Sequence, residues 1–421
     1  MTDKDNPSLA NSVNSLASQC VKCALCLPHC PTYEITEDEN ESPRGRIALF
    51  QALSQHQLPL TQKVQNHLDL CLGCRACERV CPAHVEYGQL LTQGRDLLQR
   101  LTPVEAIKPR PFTVRLLQWI AEHPSSQRVL HRCLWALQIT GIRRVARLLQ
   151  IPRLLGLASL DSLLPTVPKP KKLETHYPAL TAKQGSVLLF LGCMSTWSDQ
   201  STLFAAIVVL QHFGFDVIIP PHQTCCGAIA LHAGQSAKAA ELAQKNETAF
   251  TQQYPNIDTV ITFATGCSAV LQEYPLHFSL GSEKKWIDIL DFIHSRPWPE
   301  GLSLQPLPLN IWVHTPCTRR NVLKTPLQPA QLLARIPELS IKSFASEHCC
   351  GAAGTYMIEH EGMAEVLAKN LLSELDDIPA DFIASSNIGC VLHLKRQLKN
   401  LNPALTVLHP IVLFAKALGF D

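Results

Sequence analysis

Long apolar segments are absent from this chain of 421 residues. The most apolar windows, residues 187–191 and 204–210, are far shorter than the roughly 18 residues that a membrane-spanning helix needs. Residues 1–16 also lack the positively charged start and the apolar run of a secretory signal. From these absences we expect a cytoplasmic protein whose only membrane contact would be peripheral, on the inner face of the cell membrane.

A surplus of charge is also absent, because 37 basic residues face 35 acidic ones and leave a formal net charge of +2. That balance excludes nucleic acid as a partner of the chain as a whole. Charged residues make up 17% of the chain and hydrophobic residues 46%, so the composition is that of a folded protein. The length exceeds what a single core usually supports and predicts two or three domains.

Cysteine, by contrast, is abundant, and its 17 residues fall into two groups. Eight lie before residue 82, eight lie after residue 192, and Cys133 stands between them. In a reducing compartment so many thiols indicate metal binding or redox chemistry rather than disulfides. The isolated Cys133 is predicted to be a buried structural thiol.

The N-terminal cysteines form two runs of the pattern C-x2-C-x2-C-x3-C-P, at residues 20–31 and 71–82. In two-cluster ferredoxins three cysteines of such a run bind one 4Fe-4S cube, while the fourth binds the other cluster. Zinc sites usually need only two C-x2-C pairs, so two complete runs favour iron-sulfur clusters. We predict one cluster on Cys20, Cys23, Cys26 and Cys81, and a second on Cys71, Cys74, Cys77 and Cys30.

About forty residues separate the two runs and carry helical patterns at residues 47–53 and 64–70. A compact ferredoxin has a much shorter connection, so we expect an α-helical ferredoxin module within residues 1–100. Residues 42–47 read S-P-R-G-R-I and predict a helix start with proline in the first turn. The two arginines, Arg44 and Arg46, either contact a partner or tune a cluster by their charge, or are solvated at the helix end.

Residues 101–180 are predicted to be a basic helical connector and linker. Nine basic residues lie between residues 108 and 153, against Glu122 as the single acid. Leucines and tryptophans alternate with them, so the helices either lie on an anionic membrane surface or pack on the protein with their arginines solvated or paired. Residues 165–172 read P-T-V-P-K-P-K-K, a linker composition that marks a domain boundary.

The C-terminal cysteines recur in a doubled order. Each single cysteine precedes a Cys-Cys-Gly sequence by 32 residues, and the last cysteine follows the pair by 42 residues in one half and 41 in the other. Such self-similarity predicts two copies of one unit, at residues 181–300 and 301–421. The two sets of cysteines are Cys193, Cys225, Cys226 and Cys267, and Cys317, Cys349, Cys350 and Cys390.

Strand-like runs precede these cysteines, and helical patterns lie between the runs. Alternating strands and helices predict an α/β domain made of two repeated parallel-sheet units. Loops at the carboxyl ends of parallel strands meet at one edge, which is where such folds bind ligands. We therefore expect each set of four thiols to converge on a second metal or redox site, holding a further cluster or zinc.

Two ferredoxin-type runs followed by two Cys-Cys-Gly (CCG) repeats resemble the iron-sulfur subunits that accompany flavin dehydrogenases. Residues 42–47, the H-C-C-G-A-A-G-T-Y of residues 348–356 and the S-N-I-G-C of residues 386–390 are most similar to the glycolate oxidase iron-sulfur subunit. The resemblance implies that an FAD-containing partner subunit oxidises glycolate to glyoxylate, and that this chain passes electrons to a quinone or another acceptor. The chain has no G-x-G-x-x-G after a strand, so we expect no flavin site or catalytic residue of its own.

One departure leaves the repeat sites open. In heterodisulfide reductase the repeat ends in C-x-x-C, whereas no second cysteine follows Cys267 or Cys390 at that spacing. A four-thiol cluster, zinc and a metal-free dithiol all remain, and His393 is either a replacement ligand or an ordinary histidine. The alternative functions are the same role beside a glycerol-3-phosphate or lactate dehydrogenase, or a thiol- or metal-dependent reductase centred on the CCG repeats.

Overall fold

The computed structural model describes residues 7–102, 110–157, 161, 164, 166–278, 280, 284–375 and 380–420. Residues 1–6, Lys108 and Pro165, on which parts of the sequence argument rest, lie outside this range. Within the described part of the chain, no helix is both long enough and apolar enough to cross a bilayer.

The N-terminal region is helical, as predicted. Its helices are α1 (Pro7–Ser18), α2 (Pro31–Thr36), α3 (Pro43–Ser54), α4 (Gln62–Asp69), α5 (Ala76–Arg79) and α6 (Tyr87–Leu101), with 3-10 turns at Leu27–His29 and Glu39–Glu41. The Ser42 hydroxyl caps α3 by accepting a hydrogen bond from the Gly45 amide at 3.0 Å, and Pro43 occupies the first turn. The S-P-R-G-R-I start is therefore confirmed.

A close approach of two helices closes the N-terminal core. Gly94 of α6 lies against Phe50 of α3, and a Cβ at that position would come within 2.4 Å of the aromatic ring. Phe50, Leu68 and Leu90 are fully buried in the same core. This packing holds the two cysteine runs, which flank α3 and α4 in the sequence, on one small helical framework.

The connector consists of helices α7 (Phe112–Glu122), α8 (Pro124–Ile139), α9 (Ile142–Leu148) and α10 (Ile151–Leu154). Helix α8 buries Gln127, His131 and Leu134, which share one face because they are spaced by four and three residues. Cys133 lies off this face and is exposed. The prediction that Cys133 is buried was therefore wrong, since an isolated cysteine carries no signal about which face of a helix it occupies.

Two parallel sheets follow the connector. The first has the order β1-β3-β2-β4-β5 and the second the order β7-β6-β8-β9, and only β1 pairs antiparallel. The strand-like runs of the sequence correspond to β2, β3, β4, β6, β7 and β8, whereas the outer strands β1, β5 and β9 were not predicted. The strands are β1 (His176–Tyr177), β2 (Gly185–Leu189), β3 (Phe215–Ile218), β4 (Thr259–Thr262), β5 (Lys285–Asp288), β6 (Asn310–His314), β7 (Ser340–Ser343), β8 (Phe382–Ser385) and β9 (Thr406–Leu408).

Helices cover both sheets, and one core joins them. Val187 of β2 and Val313 of β6 point into this shared core, whereas Leu188 and Trp312, one residue away, point to separate outer clusters. The helices are α11 (Ser195–Ser198), α12 (Gln200–His212), α13 (Ala228–His232), α14 (Ser236–Glu247), α15 (Thr265–Gln272), α16 (Tyr274–Phe278), α17 (Ile289–His294), α18 (Gln328–Leu333), α19 (Tyr356–Glu359), α20 (Glu361–Leu372), α21 (Ile388–Leu401) and α22 (Pro410–Ala417), with π-helical turns at Thr248–Gln252 and Arg319–Leu323.

A buried ion pair fixes the two sheets relative to each other. Arg319, after β6, contacts Asp288 at the end of β5, and its Nη1 donates to Asp291 Oδ1 at 2.8 Å. Arg319 and Asp288 are both completely buried. Removing one partner from such a pair leaves an uncompensated charge and costs about 3–5 kcal/mol. The strand ends that carry the cysteine loops of both halves are thus held face to face.

Candidate metal centres

Both N-terminal cysteine runs begin with the same backbone conformation. Lys22 and Ala24 flank Cys23 with φ values of 59° and 71°, and the residues that flank Cys74, Gly73 and Arg75, have φ values of 64° and 59°. For residues other than glycine this left-handed region costs about 1–2 kcal/mol each. Such strain persists where the surroundings over-determine it, and a metal cluster bound inside each loop would do so.

The eight N-terminal cysteines surround two adjacent cavities. The first is lined by Cys20, Cys23, Cys26, Cys81 and Cys77. The second is lined by Cys30, Cys71, Cys74 and Cys77. The second cavity thus receives three cysteines of one run and a fourth from the other, and the first receives three of one run together with Cys81 and Cys77 of the other. This arrangement is compatible with the predicted ligand sets. Cys77 borders both cavities, so the two centres are neighbours.

Three thiols of these cavities are hard to ionise without a metal. Burial raises the pKa of Cys26 to about 11 and raises that of Cys74 and Cys77 well above the usual value. Metals bind the thiolate, so cluster assembly must displace the protons of these thiols. The binding energy of the cluster must therefore offset the cost of ionising buried thiols. A donor set made of thiols alone fits iron-sulfur clusters.

Arg46 is the least expected residue of the second cavity. It is 1% exposed, and its Nη1 donates to Thr32 Oγ1 at 2.9 Å and lies 3.9 Å from Cys30 Sγ. Its Nη2 binds the carboxylate of Glu41, and its Nε donates to the His67 carbonyl at 2.9 Å. The Glu41 carboxylate also contacts His67 Nδ1 at 2.6 Å. The reading of this arginine as a solvated helix end was therefore wrong.

Arg44, two residues earlier, is partly exposed and forms a 2.6 Å ion pair with Glu39. The contacts that Glu41 and His67 make with Arg46 were missed from the sequence, because neither residue belongs to a recognisable motif.

The C-terminal cysteines gather as two rows of neighbouring thiols. In the first half the order of the row is Cys193, Cys225, Cys226 and Cys267. In the second half the order is Cys317, Cys349, Cys350 and Cys390, and the Sγ atoms of the last two are 2.8 Å apart. Both sets line one cavity of about 220 Å³.

Glycine is required after each cysteine pair. Gly227 and Gly351 have φ values of 88° and 78°, in the left-handed region that side chains rarely adopt. A Cβ on Gly351 would also lie 2.6 Å from the Ala364 carbonyl oxygen. The Cys-Cys-Gly motif therefore follows from the sharp turn that brings both thiols to the end of the sheet. An adjacent thiol and burial together raise the pKa of Cys193 and Cys317.

The second cluster cavity lies beside the second thiol set. Asn321 Nδ2 donates to the Cys74 carbonyl at 2.7 Å, and a small cavity is lined by Cys74, Cys317 and Cys349 together. The ion pair between Arg75 and Glu273, at 2.5 Å, ties the same loop to the first half. The ferredoxin region is thus docked over the edge of the sheets at which the C-terminal thiols meet.

Two histidines lie near the second thiol set, and the structure gives them different partners. The Nε2 atom of His393, the candidate replacement ligand, lies 3.1 Å from the Ala364 carbonyl oxygen. His314 instead lies with Cys350 and Cys390, and one nitrogen of its ring and the two sulfurs are all within 4.8 Å of one another. Sequence reasoning missed His314, although its place three residues before Cys317 was a signal.

Comparison with known proteins assigns both regions to families. A 4Fe-4S dicluster domain matches residues 16–85, and a cysteine-rich domain matches residues 187–272 and again 311–395. These matches and the relatives described next confirm the prediction of 4Fe-4S clusters and of CCG domains.

Full-length relatives narrow the assignment. The probable glycolate oxidase iron-sulfur subunit of Bacillus subtilis is 33% identical, over 89% of this chain and 88% of its own length. The glycolate oxidase iron-sulfur subunit of Escherichia coli is 29% identical, over 91% of both chains. Lactate utilization protein A of Bacillus pumilus is 26% identical, over 53% of this chain and 96% of its own. Because the first similarity extends over nearly the whole of both chains, this chain belongs to the family of glycolate oxidase iron-sulfur subunits.

Proposed function

We propose that this chain is the electron-transfer subunit of a glycolate oxidase complex. A separate FAD-containing subunit oxidises glycolate to glyoxylate, which releases two electrons and two protons. The flavin takes up the electron pair and passes single electrons to the clusters of this chain, which carry them toward a quinone-type acceptor. The observation that carries the proposal is the continuous row of thiol-lined cavities, in which Cys77 borders both cluster cavities and Cys74 adjoins Cys317.

The first cluster is the best candidate for the entry point. Cys23 is exposed, whereas Cys30, Cys71 and Cys77 of the second cavity are buried. Val21 and Leu25, on the same loop, expose 69% and 57% of their surface. Apolar side chains presented around a redox centre are typical of a protein interface. We place the flavoprotein contact at this loop and the onward path through the second cluster toward the second thiol set.

The choice of glycolate over the alternative substrates rests on the extent of similarity. The lactate utilization relative aligns with 53% of this chain, whereas the two glycolate oxidase relatives align with 89% and 91%. The proposed division into residues 1–100, 101–180, 181–300 and 301–421 distinguishes the segments by their roles. The last two units share one hydrophobic core.

Anaerobic co-purification with the flavoprotein subunit tests the function. The intact complex is expected to reduce a quinone analogue with glycolate, and much more slowly with lactate or glycerol 3-phosphate. The variant Val21→Glu/Leu25→Glu should slow flavin-to-cluster transfer without loss of iron, because it places two charges in the interface. Leu327→Glu, at an equally exposed leucine in the second half, is the control. Turnover with lactate or glycerol 3-phosphate but not glycolate would refute the assignment.

We also propose that the connector contacts an anionic lipid surface, near the acceptor. Arg144 and Arg153 are exposed between apolar side chains on α9 and α10, whereas Arg143 and Arg147 bind Asp161. Apolar and cationic groups together are typical of helices that lie in a membrane interface. The apolar part, here called the connector surface, consists of residues more than half exposed: Ile139, Ile142, Val145, Leu148, Leu149, Leu154 and Leu155.

Vesicle binding checks this proposal. Replacing Leu148, Leu154 and Leu155 with serine should weaken sedimentation with phosphatidylglycerol-containing vesicles by at least about tenfold, since inserting one leucine is worth roughly 1.5–3 kcal/mol. Arg144→Gln/Arg153→Gln should weaken binding to anionic but not to neutral vesicles, by about 1 kcal/mol per arginine. Leu327→Ser is the matched control. Unchanged sedimentation of the triple variant would contradict a membrane role for the connector surface.

A further inference from the structure

The two C-terminal thiol sets differ at one position. His314 ends β6 three residues before Cys317, and the residue three before Cys193 is Phe190. Phe190 is 1% exposed and packs on Phe250 and Trp286, with ring centroids 6.0 Å apart in both pairs. The first set therefore has an aromatic wall where the second has an imidazole.

One nitrogen of the His314 ring has a hydrogen-bond partner in the neighbouring strand. Its Nδ1 is 2.9 Å from the Ser385 hydroxyl, and the register of β6 with β8 places these two residues side by side. A hydrogen bond at one ring nitrogen fixes the ring and is the common support of a ligand at the other. The residue is 3% exposed and lies among thiols, a donor combination that suits zinc or ferrous iron.

The spacing of the donors favours one ion rather than a cube of irons. Each corner of a 4Fe-4S cluster takes its own thiolate, so the four sulfurs diverge around the cube. Around a single tetrahedral ion, with metal-sulfur distances of about 2.3 Å, the donors lie roughly 3.8 Å apart. The sulfurs of Cys350 and Cys390 are 2.8 Å apart, closer than this spacing, and the His314 ring nitrogen lies within 4.8 Å of both, so binding one ion requires the two sulfurs to separate by about 1 Å. The described residues contain no other such trio.

We propose that His314, Cys350 and Cys390 hold a single divalent ion, zinc or ferrous iron, with Cys349, the neighbour of Cys350, as the fourth donor. The first thiol set lacks the histidine and does not hold this kind of site. The ion would close the loops of the second half next to Cys74, at the end of the electron path, so the two CCG units have different roles. This inference goes beyond the proposed function and does not depend on which substrate the partner oxidises.

Elemental analysis and X-ray absorption on the anaerobic complex test the site. The wild-type chain should contain one zinc or iron beyond the about eight irons of the two clusters. The extended X-ray absorption fine structure of this metal should show one nitrogen at about 2.0–2.1 Å together with sulfur at about 2.3 Å. If the extra metal is zinc, the edge reports this site alone. If it is iron, the difference between the wild type and His314→Phe reports it.

Two matched variants complete the experiment. His314→Phe copies the first half and should lose the extra ion and the nitrogen scatterer, while the electron paramagnetic resonance of the two clusters is unchanged. His393→Phe, at the other histidine near the second set, should keep both. If His314→Phe fails to fold, His314→Cys should retain the ion with an all-sulfur shell. A wild-type chain without the extra ion or without nitrogen coordination, or with a further cubane of irons, would overturn the proposal.

Discussion

Replacing Cys20 and Cys30 together with alanine should remove both clusters, whereas replacing Cys20 and Cys81 together should remove only one. The two double variants delete the same number of thiols, and both include Cys20. In the proposed ligand sets Cys30 belongs to the second cluster and Cys81 to the first. Iron per chain should therefore fall by about eight in the first variant and by about four in the second.

The measurement is iron and sulfide content with spin quantitation after reduction, on anaerobically prepared protein. Cys133→Ala is the control, because that thiol is exposed and lines none of the cavities described above. Loss of about four irons in Cys20→Ala/Cys30→Ala and of about eight in Cys20→Ala/Cys81→Ala would mean that each run binds its own cluster. Electron transfer from the flavoprotein should stop in both variants, since the first cluster is the entry point.

Arg46→Met should lower the free energy of unfolding by about 3–5 kcal/mol, because it leaves the buried Glu41 carboxylate without its cation. The same change removes the support of Thr32 and Cys30 at the second cavity. Groups that orient metal ligands typically contribute about 10- to 100-fold in affinity. An iron chelator should therefore remove the second cluster from the variant about 10 to 100 times faster than from the wild type.

Arg44→Met is the matched control for Arg46→Met. It removes the same side chain from the same helix, but its ion pair with Glu39 is exposed to solvent, and such pairs contribute less than about 1 kcal/mol. Anaerobic denaturant unfolding and the rate of iron release measure both effects. Equal behaviour of the two variants would show that the buried pair does not support the second cluster.

The two C-terminal thiol sets also differ in the residues that surround them. Both lie at the carboxyl ends of strands with the same order, and both use a glycine with positive φ after the cysteine pair. They differ where β6 ends in His314 and where Cys74 adjoins Cys317. A repeated fold therefore supplies two similar positions, and single residues around each position decide what chemistry it supports.

The sequence by itself determined those features that depend on the spacing of residues close together in the chain. The two cysteine runs, the capped start of α3 and the doubled Cys-Cys-Gly order depend on residues close together in the chain. Loops and helix ends of this kind are specified by a few neighbouring side chains. The inner strands of both sheets were predicted for the same reason, since apolar runs between turns carry a local signal.

Only the tertiary structure decided the contacts between distant segments. The outer strands β5 and β9 are short and become recognisable through pairing with β4 and β8. The exposure of Cys133, the burial of Arg46 beside Thr32 and His67, and the place of His314 beside Cys350 depend on which faces pack together. Because packing joins residues tens to hundreds of positions apart, their neighbours are fixed by the fold as a whole, and no short motif records them.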